Sequence, residues 1–252
     1  LGMVTTKNKY RYREKSNALK SRIETMNDFI EDFEKDVSRE LYIGGYRALI
    51  SMNAYVRDIE GYIEDFDLTF TEILLNGTSN SIIQSLMKQD GQGADIKSWL
   101  IRVNEEGSKM NVNVDVIIND VVVEHISPWS VRISLDMNSV IQDNSGIVSW
   151  NITKIYFNDF SIIGFEDPLY TVGTSDKVTV LINRTSEYDF VNDVTNDTTN
   201  LLNHIYTSTY INSTSSPSFL MRFSGNLTAS EFGIESIVDP LKLSLQDISI
   251  LD

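Results

Sequence analysis

All four prolines of this chain, Pro128, Pro168, Pro217 and Pro240, lie in its second half, so no locked φ and no missing amide interrupts a helix before residue 128. The hydrophobic pattern uses that freedom. After Tyr12, the residues Leu19, Ile23, Met26, Ile30, Phe33 and Val37 follow at steps of four and three, which places them on one helical stripe. Glu24, Asp28, Glu31, Asp32 and Asp36 occupy the other side. Such a helix has to cover its stripe, either with a neighbouring helix of the same chain or with a second copy. Leu19, Ile23, Met26, Ile30, Phe33 and Val37 are therefore the candidate self-association seam.

From Leu41 the residues become apolar on more than one side, as expected for a segment enclosed by other elements. Gly44 and Gly45 each cost a helix roughly 1 kcal/mol relative to alanine, and predict a kink or a close helix contact. Further helices are predicted over 66–75, 79–88 and 93–110. The last carries Ile96, Trp99, Leu100, Val103 and Met110 at helical spacing, with Gly91 and Gly93 punctuating its start.

After Met110 the period drops to two, with Val112, Val114 and Val116 alternating with Asn111, Asn113 and Asp115. Val131, Ile133, Leu135 and Met137 repeat the alternation. Asp143-Asn144-Ser145-Gly146 supplies a turn before a third strand through Trp150 and Ile152. Three consecutive strands predict an antiparallel meander, with helix 93–110 over its apolar face. Residues 186–216 are rich in Asn, Asp, Ser and Thr and read as a polar surface excursion, with a possible helical turn at Leu201–Tyr206. Strand-like alternation returns at 218–223 and at Leu241, Leu243 and Leu245.

The expected fold is α+β. It has a helical N-terminal half with a long amphipathic helix, and an antiparallel sheet or sandwich-like C-terminal half. The expected organisation is a stalk-like helix over 1–40, a helical region packing on the sheet over 41–110, and a β-rich region over 111–252.

The formal charge of -15, from 21 basic and 36 acidic residues, argues against nucleic acid as a partner, because phosphate contacts need clustered Lys and Arg. The charge is segregated. Lys7, Lys9, Arg11, Arg13, Lys15, Lys20 and Arg22 face only Glu14 among the first 22 residues. Such an arm is either a solvated helix face or a segment suited to anionic lipid headgroups, where each cation contributes on the order of 1 kcal/mol. The chain has no cysteine, which removes disulfides, thiolate metal sites and cysteine nucleophiles together. No run approaches the roughly 20 apolar residues of a membrane span. The first residue is Leu1, and the expectation is that a membrane anchor or signal segment precedes it.

The sequence lacks the motifs of common catalytic chemistry. His125 and His204 have no acidic or histidine partner at ligand spacing, and His125 is expected on a strand's polar face. There is no H-E-x-x-H, no G-x-S-x-G and no phosphate loop, and Gly91-Gln92-Gly93 lacks the third glycine of a dinucleotide fingerprint. Glu64-Asp65-Phe66-Asp67 reads as a solvated helix start. Asn192-Asp193-Val194-Thr195-Asn196-Asp197 has closely spaced oxygen donors but neither the glycine nor the distal Glu of an EF-hand loop. No catalytic residue, metal ligand or cofactor is predicted, and the chain is expected not to be an enzyme. Six Asn-x-Ser/Thr sequons, at Asn76, Asn151, Asn183, Asn196, Asn212 and Asn226, are candidate glycosylation sites.

Gly164-Phe165-Glu166-Asp167-Pro168-Leu169-Tyr170 is the most distinctive word in the chain. Asp-Pro favours an extended residue before the proline, which predicts a strand end and a structured corner, read as a packing motif with Phe165 and Tyr170 filling the core edge or, alternatively, as a ligand site.

In the helical seam over 12–41, the strands after 110 and this corner at 162–170, the chain resembles a group of archaeal membrane-anchored envelope proteins. Its layout is also similar to that of type IV pilin-like proteins, although Leu1 to Lys20 is polar and basic where a mature pilin opens with an apolar helix. The resemblance implies the extracytoplasmic domain of an anchored surface or appendage-associated protein with a structural or adhesive role, held to the membrane by an N-terminal anchor. Two other readings stand beside it: a carbohydrate-binding or sensory ectodomain using Trp129, Trp150 and Tyr170 around a glycan, and a hydrolase with an acidic pair that the sequence does not identify.

Overall fold

The computed structural model describes residues 2–88, 93–184 and 209–236, with side chains from Lys15 onward. Helix α1 (Gly2–Asp58) is a single element of 57 residues, about 85 Å at the usual rise. It runs unbroken through residue 40, so the expected division between a stalk over 1–40 and a packed region from 41 is not a backbone boundary. What changes along it is the surroundings. Lys15 to Ser21 are exposed, whereas Met26, Phe33, Val37, Leu41, Leu49, Met52 and Val56 are buried. Gly44 and Gly45 mark close contacts. A Cβ on Gly44 would lie 2.6 Å from the Ala94 carbonyl oxygen, and one on Gly45 would lie 2.8 Å from Ile133 Cδ1.

Helix α2 (Phe66–Asn76) starts where the Asp65 carboxylate accepts a hydrogen bond from the Leu68 amide at 2.9 Å, and ends at Gly77 with φ 69°. The predicted helix over 79–88 is replaced at its start by a hairpin of β1 (Thr78–Ser79) and β2 (Ile82–Ile83). Its two turn residues, Asn80 and Ser81, both have positive φ, and the Glu72 carboxylate accepts from Thr78 Oγ1 and from the amides of Asn80 and Ser81. Helix α3 (Ile96–Lys109) is capped by Asp95, which accepts from the Ser98 amide at 3.0 Å.

Strands β3 (Val112–Ser127), β4 (Ser130–Asp143) and β5 (Ser149–Ser161) form the predicted antiparallel meander in the order β3-β4-β5. The turn between β4 and β5 carries Gly146 at φ 71°. Val131, Ile133, Leu135, Met137 and Ile141 of β4 are buried against the helices. Helix α3 covers β3 as expected, while α1 lies over β4 and β5, so the sheet has two covering helices. The opposite face is open, with Ile117, Ile155 and Phe157 exposed.

Beyond β5, the corner at 162–170 leads into α4 (Pro168–Gly173), with proline at the helix start and Asp167 as the cap. A second sheet follows: β6 (Asn183–Arg184) pairs parallel to β7 (Thr209–Asn212), which pairs antiparallel to β8 (Ile234–Ser236). Tyr210 and Ile211 are buried in β7, which corrects the surface reading for that end of 186–216; residues 185–208 and Leu241, Leu243 and Leu245 lie outside the described residues. Residues 218–223, predicted as a strand, contain helix α5 (Phe219–Phe223). Phe219 and Phe223 are four apart and both fully buried, with rings edge to face at 5.1 Å; over six residues a period of two and one of 3.6 are easily confused.

Candidate functional site

Between α1 and α3 lies a groove of about 640 Å³. Its floor is apolar and aromatic: Phe29 and Phe33 from α1, Trp99 and Val103 from α3, with Phe33 and Trp99 stacked at 5.6 Å between ring centres. Its rim is acidic because Asp28, Asp32, Asp36 and Glu40 recur every four residues along one side of α1, and Glu105 and Glu106 add charge from α3. Arg39 and Arg102 are the two cations in the lining.

The polar groups at the inner end are already engaged. Trp99 Nε1 donates to Asp36 at 2.8 Å, while Arg102 donates to Glu40 at 3.1 Å and to the Gly93 carbonyl at 2.7 Å. Burial pushes the Glu40 carboxyl above its usual range, further than the facing Arg102 pulls it down. Asp28 and Asp32 are exposed at the outer end. Carboxylates over aromatic faces form a receptor for positive charge carried on an apolar stem, such as a lysine or arginine side chain on a helix.

A second cluster is closed to solvent. Asp167 and Arg222, 0% and 3% exposed, form an ion pair at 2.6 Å, and the fully buried Tyr210 hydroxyl donates to the same carboxylate oxygen at 2.7 Å. The other Asp167 oxygen accepts from the Leu169 amide, and Arg222 also donates to the Ile234 carbonyl. Burial and the adjacent Asp167 charge push the Tyr210 phenol well above its usual range. The cluster ties the corner, α4, α5, β7 and β8 together. The sequence reading missed it, because Asp167 and Arg222 are 55 residues apart with no periodic signal linking them.

Of the seam residues, Met26, Phe33 and Val37 are buried in the chain's own core, Ile30 packs partly buried against it, and Leu19 and Ile23 face outward. From Met26 onward the stripe is covered by the same chain. His125 is not on a solvated face: it is half-buried, its Nε2 accepts from the Leu220 amide at 3.3 Å, and burial lowers its pKa. Asp65 has the helix-start role expected of the 64–67 cluster.

The corner behaves as predicted, with Phe165 and Tyr170 buried. Trp129 is buried too and Trp150 is half-buried, so the three aromatics offered for glycan binding do not make one exposed platform. Asn76, Asn151, Asn183, Asn212 and Asn226 are exposed; Asn196 and the oxygen-rich run 192–197 lie outside the described residues. At Asn226 the side-chain oxygen accepts from both the amide and the hydroxyl of Thr228. Among the described residues no helix is long and apolar enough to cross a membrane.

These elements define an α+β protein with a long helix across an antiparallel meander. No protein-family model, no curated protein and no solved structure matches the chain.

Proposed function

We propose that this chain is the extracytoplasmic domain of a membrane-anchored surface or appendage-associated protein, with a structural or adhesive role and no catalytic one. The observation that carries the reading is the behaviour of α1, which is built into the body from Met26 onward and leaves it as an exposed helix over Lys15 to Ser21. A rigid helix emerging from a folded body is a means of holding that body at a distance from its point of attachment. The exposed sequons at Asn76, Asn151, Asn183, Asn212 and Asn226 agree with glycosylation in an outward-facing location.

Fractionation of native cells tests the location. The protein should pellet with the envelope, resist extraction by high salt, and be cleaved when intact cells are treated with protease. Recovery in the soluble fraction, protected from protease until lysis, would overturn the proposal. Intact-mass analysis of the native protein should show added glycan mass, and a screen on polysaccharide and peptide substrates should show no turnover.

A further inference from the structure

We propose that His125 is a pH-operated latch: its neutral imidazole caps α5 and fastens that helix to β3, and protonation of the ring releases it. The inference is independent of where the protein resides. Helix α5 begins after Ser218, the position whose side chain ordinarily accepts from one of the first free amides of a helix, yet Ser218 makes no such bond. The acceptor comes instead from a residue 95 positions away. Leu220, the second residue of α5, donates its amide to His125 Nε2 at 3.3 Å.

That bond fixes the tautomer. Nε2 accepts only while it carries no proton, so the neutral ring holds its proton on Nδ1 and donates it to the Ser127 carbonyl at 3.2 Å. The ring also stacks on Phe232, with centres 5.9 Å apart and planes 20° from parallel. Taking up a second proton places an N–H against the Leu220 N–H and a positive charge at the positive end of the helix. Among the described residues no carboxylate pairs with the ring to hold that charge. Glu124 and Glu231 are exposed, Arg132 is bound to Asp159, Arg222 to Asp167, and Arg184 lies over the Trp129 ring. Burial lowers the pKa of the ring against the opposing pull of the Ser127 and Ser130 backbone.

The latch acts on a sensitive element. Helix α5 carries the fully buried Phe219 and Phe223 and the Arg222 counter-ion of Asp167, whereas the meander is held by its own ladder of strand pairs. Because the folded-state pKa is depressed, the latch is complete above the unfolded histidine value of about 6.5. It weakens as pH falls from there to the folded value, by up to about tenfold per unit, and changes no further below it. Acid should therefore open α5 before it opens the sheet.

Hydrogen exchange on the full chain tests this, read as protection relative to the intrinsic rate. The Leu220 amide should lose roughly tenfold in protection between about pH 7 and about pH 5, while the Leu135 amide of the central strand keeps its own. In His125→Gln, whose carboxamide oxygen can accept from the same amide and does not titrate, Leu220 protection should change by less than about twofold over that range. His125→Phe retains a ring against Phe232 but no acceptor, and should leave Leu220 poorly protected at both pH values. Histidine nitrogen resonances, with that of His125 identified by its disappearance in either variant, should show Nδ1 protonated in the neutral ring and a midpoint below about 6.5. A neutral ring protonated on Nε2, or Leu220 protection that is unchanged by pH in the wild-type chain or falls equally in His125→Gln, would overturn the proposal.

Discussion

The helix–meander body and the smaller region around Asp167 are both buried, but they are held together by different physics. In the first, apolar side chains repeat along α1, α3 and β4, and no single pair dominates. In the second, short elements of three to six residues converge on one carboxylate that binds Arg222, Tyr210 and the start of α4. Distributed packing degrades gradually when one member is lost, whereas a buried charge stripped of its counter-ion has no solvent to fall back on.

The largest expected effect follows from that asymmetry. Asp167→Ala or Arg222→Ala should cost about 3–5 kcal/mol in urea unfolding, because either leaves an uncompensated buried charge. The paired replacement Asp167→Leu/Arg222→Met should cost much less than the two single losses summed; additive losses would break the comparison. Leu49→Ala, in the fully buried stripe of α1, should cost about 2–5 kcal/mol through the cavity it leaves.

Gly44→Ala should destabilise by about 1–3 kcal/mol despite alanine's better helix propensity, since the new Cβ meets a backbone oxygen at 2.6 Å. The same change at Gly173, where nothing lies within 4 Å, should leave stability unchanged or raise it by up to about 1 kcal/mol.

Asp95 supplies a smaller, pH-dependent test. Burial alone would raise its carboxyl, but hydrogen bonds from Lys88 and from Ser98 outweigh burial and hold the pKa below the usual value. A depressed folded-state pKa stabilises above the unfolded aspartate value and is lost as pH falls through the folded one. Asp95→Asn should therefore cost about 1 kcal/mol near neutrality and flatten the loss of stability below about pH 4. Unchanged acid unfolding would show that the Lys88 contact contributes nothing.

The two regions also differ in how far they could be read from the sequence. The meander announced itself because alternation over seven or more residues leaves few alternatives, and α3 because Ile96, Trp99 and Val103 fit only one period. Ile82, Ile83, Leu86 and Met87 also fit a helix, yet Gly77 ends α2 and the Glu72 carboxylate gathers the hairpin, so a long-reaching side chain overrode the local pattern. The groove was half legible. Its acidic rim was visible as the polar side of α1, but its floor depends on Phe33 meeting Trp99, 66 positions away, which periodicity does not encode. The Asp167 centre was invisible for the same reason, with only the Asp-Pro corner pointing toward it.

Because α1 is one rod, the direction of a pull on its exposed end determines how the body resists. Force along the rod loads the Arg22–Asp143, Glu34–Lys154 and Ser38–Asn158 contacts and the buried flank from Met26 to Val56 simultaneously, like rivets in a lap joint. Force across it would open them in turn, beginning at Arg22. The same protein should therefore be strong in tension along α1 and weak to peeling.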